Sequence, residues 1–190
     1  MRWKLGKLTN RPEDVKVLEV DYDQVVEEKK QIILQNKPLH DILGNISQVD
    51  KNGIVADNYV LHGCDLRDLS AFEQIIRKNL DLNLPTLVIS EVVLVYMESE
   101  YSDSLIQLLT STLKCTTFVL YEQIIPDDSF GSMMVDKLNQ RGCPLLSIHK
   151  YPTLKSQEER FKSLGYSDVL AYDMNVIYNS FLEPRDYEWI

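Results

Sequence analysis

The sequence has few glycines, few cysteines, no long apolar run and no excess of basic residues. Its 190 residues include seven glycines and three cysteines, and 29 acidic side chains outnumber 20 lysines and arginines. No apolar run approaches the ~20 residues of a membrane-spanning helix, and no apolar segment of a secretory signal follows the first residues. Proteins that hold nucleic acid by its phosphates need clustered basic residues. We therefore predict a cytoplasmic protein with neither a membrane nor a nucleic-acid partner.

The cysteines and histidines are too scattered for a metal site. Cys64, Cys115 and Cys143 form no C-x-x-C pair, and no histidine lies at zinc-ligand spacing from them. Cys64 and Cys115 lie within or just before apolar segments, which predicts buried free thiols. No Ser-His-Asp or Cys-His arrangement is recognisable either. The sequence thus predicts no metal and no covalent nucleophile.

Four apolar segments each end on a carboxylate, and helical stretches separate them. They are Val17–Asp21, Tyr59–Asp65, Thr86–Glu91 and Phe118–Glu122. Strands alternating with helices predict an α/β fold with a mostly parallel sheet covered by helices on both faces. Ligands of such sheets bind outside the carboxyl ends of the strands. A row of acids there suits a ligand rich in hydroxyl, amino or ammonium groups, such as a nucleoside cofactor.

Amphipathic spacing predicts the helices between these strands. The first should be capped by Asp23, should end before Pro38, and should bury Val25, Val26, Lys29, Ile32 and Ile33. Another should begin at Asp68, and later ones should span Ser99–Leu113, Phe130–Arg141, Ser156–Leu164 and about Met174–Phe181, the last preceded by a short strand.

The remaining segments carry weaker signals. Residues 1–8 are predicted to be the tail of a helix, and residues 40–58 show only a turn signal at Asn52-Gly53. The third strand is predicted to continue past Glu91 to Tyr96. No repeat or linker divides the chain, so one domain over residues 1–190 is expected.

Several motifs resemble those of the leucine carboxyl methyltransferase family. They are Leu18–Asp21, Cys64–Leu69, Ser90–Met97, Tyr121–Gln123, Ser156–Arg160 and Asp173-Met174. The resemblance implies a Rossmann-like fold that binds S-adenosylmethionine. It also implies methyl transfer to the C-terminal leucine carboxylate of the protein phosphatase 2A catalytic subunit.

The same resemblance implies cofactor contacts for four residues. Asp21 would hold the ribose hydroxyls, Asp65 and Leu66 would contact the adenine, and Glu91 would hold the ammonium group of the methionine part. Ordinary roles remain open for each. Asp21 could serve a helix N-terminus, Asp65 could be a helix cap beside a core leucine, and Glu91 could be a buried acid paired with a nearby Arg or Lys.

Tyr96, Tyr121 and Glu122 follow the same strand ends and are predicted to line the path of the substrate. Plain packing is an equally good explanation for these three residues.

The chain departs from the family by lacking a glycine-rich loop before the Asp21 strand. The lid, the first strand and the C-terminal strands of relatives also have no counterpart, which predicts an internal piece with an incomplete sheet and little or no activity. Two other functions stay open: a non-catalytic fragment that binds the phosphatase, and a methyltransferase of a wybutosine-type tRNA base. A nicotinamide dehydrogenase is disfavoured because no G-x-G-x-x-G is present.

Overall fold

The computed structural model describes residues 15–182, so the helix tail predicted for residues 1–8 lies outside the described residues. The chain forms two compact units, one up to Asn83 and one from Leu84 onward. Each has a sheet of its own, and the prediction of one domain over residues 1–190 stays a prediction. Within residues 15–182, no helix is long and apolar enough to cross a bilayer.

Two parallel strands and a hairpin form the sheet of the first unit. Strand β1 (Val17–Asp21) pairs in parallel with β4 (Tyr59–Gly63), and the register places Asp21 opposite Gly63. Between them in sequence, β2 (Ile46–Asp50) and β3 (Gly53–Ala56) form an antiparallel hairpin, which gives the order β1-β4-β3-β2. The turn predicted at Asn52-Gly53 is confirmed, since it joins β2 to β3.

The prediction of only a turn within residues 40–58 is therefore wrong. The sequence does not reveal the hairpin, because β2 is a short edge strand whose middle residues Ser47, Gln48 and Val49 are all exposed. A strand exposed on both faces lacks the apolar–polar alternation by which strands are recognised.

From residue 15 onward, the helices of the first unit are α1 (Asp23–Gln35), α2 (Lys37–Ile42) and α3 (Leu69–Asn79). The predicted capping role of Asp23 is wrong, because Asp23 is the first helical residue and no side chain caps α1. Pro38 follows the end of α1, as predicted, but it begins α2, where a missing backbone N–H costs nothing. Asp68 does cap α3, its carboxylate accepting the Ala71 N–H at 3.0 Å.

The buried face of α1 is rotated from the predicted one. Val26, Lys30 and Ile33 are buried, whereas Val25 is 44% and Ile32 58% exposed. Lys30 is tolerated because its Nζ pairs with Glu27 and donates to the Asp50 carbonyl at 2.8 Å. The buried spacing of four and three residues is that of one helix face. This face packs into a core with Leu43, Ile54, Ala56, Tyr59 and Leu61.

Within residues 84–182, the second unit has two parallel strands and four α-helices. Strand β5 (Pro85–Glu91) pairs with β6 (Cys115–Tyr121), and Glu91 lies opposite Tyr121. The helices are α4 (Ser99–Thr112), α5 (Ser129–Gln140), α6 (Leu154–Ser163) and α7 (Met174–Ser180). These four helices confirm the predicted ones to within two residues at each end. The short strand predicted before α7 is absent from residues 168–173.

The third predicted strand is five residues too long at its C-terminal end. Val92 has a φ of 53°, a left-handed conformation that an extended strand cannot contain. The chain turns there and forms a single 3-10 turn at Leu94–Tyr96. Leu94 and Val95 are buried, which explains why this stretch has the apolar composition of a strand.

Side chains alternate between a covered and an exposed face along β5 and β6. Phe118 packs against the rings of Phe161 and Tyr166, with centroids 5.0 and 6.2 Å away. The opposite face is apolar but between 41% and 49% exposed; it comprises Leu87, Ile89, Val119 and Tyr121. Within residues 84–182, this sheet is thus covered on one face only, and the predicted coverage by helices on both faces is not observed.

The cysteine predictions are half right. Cys64, just after β4, is buried as predicted. Cys115 is exposed, because it is the first residue of β6 and lies at the end of the sheet. The parallel pairs flanked by helices confirm the α/β class, and the division into a four-stranded and a two-stranded sheet agrees with the predicted incomplete sheet.

Candidate functional site

In the first unit, Asp21 and Asp65 emerge at the same edge of the sheet. Asp21 is the last residue of β1, and the Cys64 N–H donates to its carbonyl at 2.8 Å, which extends the ladder one residue beyond β4. Asp65 is the next residue. The parallel strands β1 and β4 therefore place Asp21 and Asp65 at the carboxyl edge of the sheet, where ligands of such sheets bind.

A third acid, Asp23, crosses closely over this edge. A Cβ on Gly63 would lie 2.1 Å from Asp23 Oδ1 and 3.2 Å from its Cα, so only glycine lets the loop after β1 approach β4. Burial raises the pKa of the Cys64 thiol, and the negative charges of Asp68, Asp65 and Asp23 raise it further. The carboxyl edge of the first unit is thus distinctly acidic.

The Asp65 carboxylate is occupied by Arg67. It accepts the backbone N–H of Arg67 at 3.0 Å and the guanidinium at 2.5 to 3.0 Å. The hydrogen bonds from Arg67 lower the pKa of Asp65. A ligand amino group would have to replace one of these bonds, and an ion pair this exposed is weak enough to rearrange. Leu66, which lies between Asp65 and Arg67 in the sequence, is half-buried.

The alternative roles of these two aspartates are not those observed. Asp68, not Asp65, caps α3. Asp21 lies outside α1, and its Oδ1 accepts the Tyr22 N–H at 2.7 Å. The acid in the first turn of α1 is Asp23.

In the second unit, Glu91 and Tyr121 lie side by side at the carboxyl edge. They are register partners, both side chains are exposed, and the Val92 N–H donates to the Tyr121 carbonyl at 2.9 Å. The alternative of a buried Glu91 paired with a base is therefore wrong. The left-handed conformation of Val92 is costly for a β-branched residue and ends the strand at Glu91.

Two buried polar atoms flank the same strand ends. Within residues 15–182, Ser90 Oγ and Gln123 Oε1 have no hydrogen-bond partner. Ser90 precedes Glu91, and Gln123 follows Glu122. Unsatisfied buried groups are rare, and a bound water or ion is one of the explanations for them.

Glu122 turns away from this edge and supports the turn that follows β5. Its Oε1 accepts the Val95 N–H at 2.7 Å. Burial raises the pKa of Glu122, and the Val95 N–H and the positive charge of Arg160 oppose that rise. Packing thus accounts for Glu122 in the structure. Its predicted contact with substrate, like those of Tyr96 and Tyr121, stays a prediction.

Each edge fits part of S-adenosylmethionine by its chemistry. Carboxylates accept hydrogen bonds and carry negative charge, so Asp21 and Asp65 suit hydroxyl and amino donors, and the exposed Glu91 suits an ammonium group. The structure brings Asp21 together with Asp65 and Leu66, and it brings Glu91 together with Tyr121. A single rim through both units stays a prediction.

Four features of these edges were missed from the sequence. They are the Arg67 partner of Asp65, the crossing of Asp23 over Gly63, the conformation of Val92 and the unpartnered Ser90. Only Arg67 had a signal, the alternating charges of Asp65–Asp68, since a fork of donors two residues away can reach back to a carboxylate.

Comparison with known proteins identifies the family to which the chain belongs. A family model described as leucine carboxyl methyltransferase matches residues 5–110, a range that includes Asp21, Asp65, Leu66, Glu91 and Tyr96. The chain is similar to the leucine carboxyl methyltransferase 1 homolog of Arabidopsis thaliana, 37% identical over 172 residues that cover 89% of this chain and 52% of that protein. Leucine carboxyl methyltransferase 1 of Rattus norvegicus is 36% identical over 191 residues, covering 93% and 54%.

A second group of relatives is longer. The chain is 31% identical to tRNA wybutosine-synthesizing protein 4 of Homo sapiens over 174 residues. This alignment covers 90% of this chain and 25% of that protein. The chain spans about half the length of the curated leucine carboxyl methyltransferases it matches.

Proposed function

The chain belongs to the leucine carboxyl methyltransferase family. On that premise we propose that it functions as an S-adenosylmethionine-dependent O-methyltransferase. The proposed substrate is the C-terminal leucine carboxylate of the protein phosphatase 2A catalytic subunit, which would become a methyl ester. One observation carries the proposal: in a chain of this family, acids lie at the carboxyl ends of parallel strands in both units.

The proposed roles follow the chemistry of the strand ends. Asp21 accepts hydrogen bonds from the ribose hydroxyls, Asp65 accepts from the adenine amino group, and Leu66 packs on the adenine ring. Glu91 pairs with the ammonium group. When bound, S-adenosylmethionine supplies a methyl group activated by its sulfonium sulfur.

This reaction needs no proton transfer from the protein. A C-terminal carboxylate is ionised at pH 7, because its pKa is about 3.3–3.7. The protein therefore only has to hold the two reactants in line and exclude water. Alignment of this kind can be worth roughly 7–11 kcal/mol, which agrees with the absence of a catalytic triad from the sequence.

Cofactor binding is tested by NMR, which detects weak complexes. With S-adenosylhomocysteine at millimolar concentration, amide shifts should concentrate at residues 21–23, 63–67 and 90–92. Asp65→Asn and Glu91→Gln should each weaken binding about tenfold or more, as expected for loss of a charged partner. Asp136→Asn, which changes an exposed acid on α5, is the control. Absence of shifts at these residues would refute the proposed site.

Substrate and reaction are tested by transfer of a labelled methyl group. Because an incomplete sheet predicts little activity for this chain, the phosphatase catalytic subunit should yield a base-labile ester only slowly, and a subunit lacking its terminal leucine should yield none. Binding of the subunit without label would favour the non-catalytic alternative. The similarity to wybutosine-synthesizing proteins makes tRNA the other substrate to include, although a net charge of −9 disfavours it.

A further inference from the structure

One motif that resembles the family, Ser156–Arg160, has no part in the chemistry proposed above. Its last residue, Arg160, is only 3% exposed. Arginine is almost never fully buried unless it is paired, and burial of an unpaired charge is costly. A buried guanidinium in this motif therefore indicates a specific task inside the second unit.

Helix α6 places Arg160 against the sheet of this unit. Thr153 and Ser156 begin the helix with a capping box, in which the Ser156 N–H donates to Thr153 Oγ1 at 3.1 Å. The two buried residues of the helix are Arg160 and Phe161. The Phe161 ring packs on Phe118 of β6, with centroids 5.0 Å apart. Arg160 is thus carried to the covered face of β6.

The guanidinium of Arg160 is held in one place by three neighbours. Its Nε donates to Asp103 Oδ1 at 2.8 Å, and its Nη2 donates to Ser102 Oγ at 2.6 Å. Its central carbon lies 4.3 Å from the centre of the Tyr151 ring, and the Tyr151 hydroxyl donates to the second Asp103 oxygen at 2.6 Å. A planar guanidinium can donate hydrogen bonds and stack on an aromatic ring at once. Helix α4 and the segment before α6 therefore fix the position of this charge.

The charge held in this way acts on Glu122. Glu122 follows the last residue of β6 and lies on the same face as Phe118, because side chains alternate along a strand. Burial raises the pKa of Glu122, and the Val95 N–H and the positive charge of Arg160 oppose that rise. A charged acceptor forms a hydrogen bond about twice as strong as a neutral one. Arg160 therefore favours the form of Glu122 that holds the Val95 N–H, at 2.7 Å, most firmly.

We propose that Arg160 is a positioning residue: through Glu122 it holds the turn after β5 and thereby fixes the end of β5 that carries Glu91. The turn and the strand end are close in the chain, since Val95 follows Glu91 by four residues. The proposal rests on the proposed function for one point, that Glu91 contacts the cofactor. The role requires no contact between Arg160 and either reactant.

Other titratable and charged groups surround the guanidinium. Asp103 of α4 and Tyr151 of the segment before α6 contact it directly. Lys150 lies 3.7 Å from Asp103 and 3.9 Å from Glu100. Burial and the hydrogen bond to Asp103 raise the pKa of Tyr151 to about 12, so this phenol stays uncharged near neutral pH. A titration of Glu122 in that range therefore reports on the charged side chains and not on Tyr151.

The titration of the Glu122 carboxyl group tests the proposed role, and carbon NMR of the full chain follows it. Arg160→Gln removes the charge but keeps hydrogen-bond donors, so the titration of Glu122 should move up by about one pH unit or more. Arg160→Lys keeps the charge and should restore most of the native titration. Lys162→Gln, which removes the same charge from an exposed position on α6, is the control and should change nothing.

A second variant covers the case in which Arg160→Gln does not fold. Asp103→Asn keeps an acceptor oxygen for the guanidinium and removes the negative charge beside it. The titration of Glu122 should then move down, in the opposite direction from that in Arg160→Gln. A residue that only ties α4 to α6 would lose stability in these variants without moving this titration. Unchanged titration of Glu122 in Asp103→Asn, and in Arg160→Gln where it folds, overturns the proposal.

Cofactor binding separates this proposal from the proposed function. Arg160→Gln should weaken the binding of S-adenosylhomocysteine, but by less than Glu91→Gln does, because it displaces the carboxylate without removing it. Equal binding by the native chain and Arg160→Gln, with binding lost in Glu91→Gln, would overturn the proposed role. The expected shifts of the Glu122 titration in a chain that binds no cofactor would refute the proposed function and leave the coupling of Arg160 to Glu122 intact.

Discussion

Removing the Glu122 carboxylate should loosen the turn that follows β5. This carboxylate accepts the Val95 N–H at 2.7 Å, and Val95 is almost fully buried. Glu122→Ala would leave a buried backbone donor without a partner, at a cost of roughly 1–3 kcal/mol. Glu122→Gln keeps an acceptor oxygen on a side chain of the same length, so we expect it to cost less.

The same residue predicts a pH dependence of defined sign. Burial raises the pKa of Glu122 above its ordinary value, so the folded state holds this proton more tightly than the unfolded chain. Its contribution to stability is therefore fully present below the unfolded pKa and is lost as pH rises through the folded pKa. Glutamine does not titrate, so the stability of Glu122→Gln relative to the native chain should improve as the pH rises above the ordinary glutamate pKa of about 4.3.

Amide exchange and urea unfolding measure these effects. In Glu122→Ala, exchange at the Val95 amide should accelerate about tenfold or more, since ~1.4 kcal/mol corresponds to a factor of ten. Glu100→Ala, at an acid whose side chain is 79% exposed, should not change exchange at Val95. The reasoning is refuted if the Val95 amide exchanges as slowly in Glu122→Ala as in the native chain. It is also refuted if the stability of Glu122→Gln relative to the native chain falls as pH rises.

Three further substitutions test other contacts by urea unfolding. Asp103→Ala should cost about 3–5 kcal/mol, because Arg160, whose side chain is 1% exposed, would lose its 2.8 Å partner. Ile125→Asn should stabilise by up to about 1 kcal/mol, because asparagine tolerates the φ of 56° and the isoleucine is 50% exposed. Gly63→Ala should cost about 1–3 kcal/mol and weaken cofactor binding, since its Cβ would displace Asp23.

Each of these has an outcome that contradicts it. A small effect of Asp103→Ala would mean that the guanidinium finds other acceptors or water. Destabilisation by Ile125→Asn would mean that the left-handed residue is not strained. Native stability of Gly63→Ala would show that the loop after β1 can move away from β4.

The regular elements with strong periodicity were predictable. Helix α4 carries buried Leu105, Ile106 and Leu109 at helical spacing, and Gly142 marks the end of α5 by a conformation that other residues avoid. The hairpin of β2 and β3 was not predicted, because β2 is exposed on both faces and lacks the apolar–polar alternation of a recognisable strand.

The candidate site was predictable only in its residue types. A carboxylate after an apolar segment indicates a strand end, and Asp21, Asp65 and Glu91 all lie at or just past one. Their surroundings were less predictable, because the Arg67 guanidinium reaches Asp65, and the Val95 N–H reaches Glu122, only through the folding of turns.

The sequence by itself determined the alternation of strands and helices, the acids at the strand ends and the membership of a methyltransferase family, since these depend on local periodicity and on motifs. Only the tertiary structure decided that Glu122 supports a turn while Glu91 stays exposed. The physical reason is that a strand directs successive side chains to opposite faces, and which of those faces is covered depends on packing between distant segments.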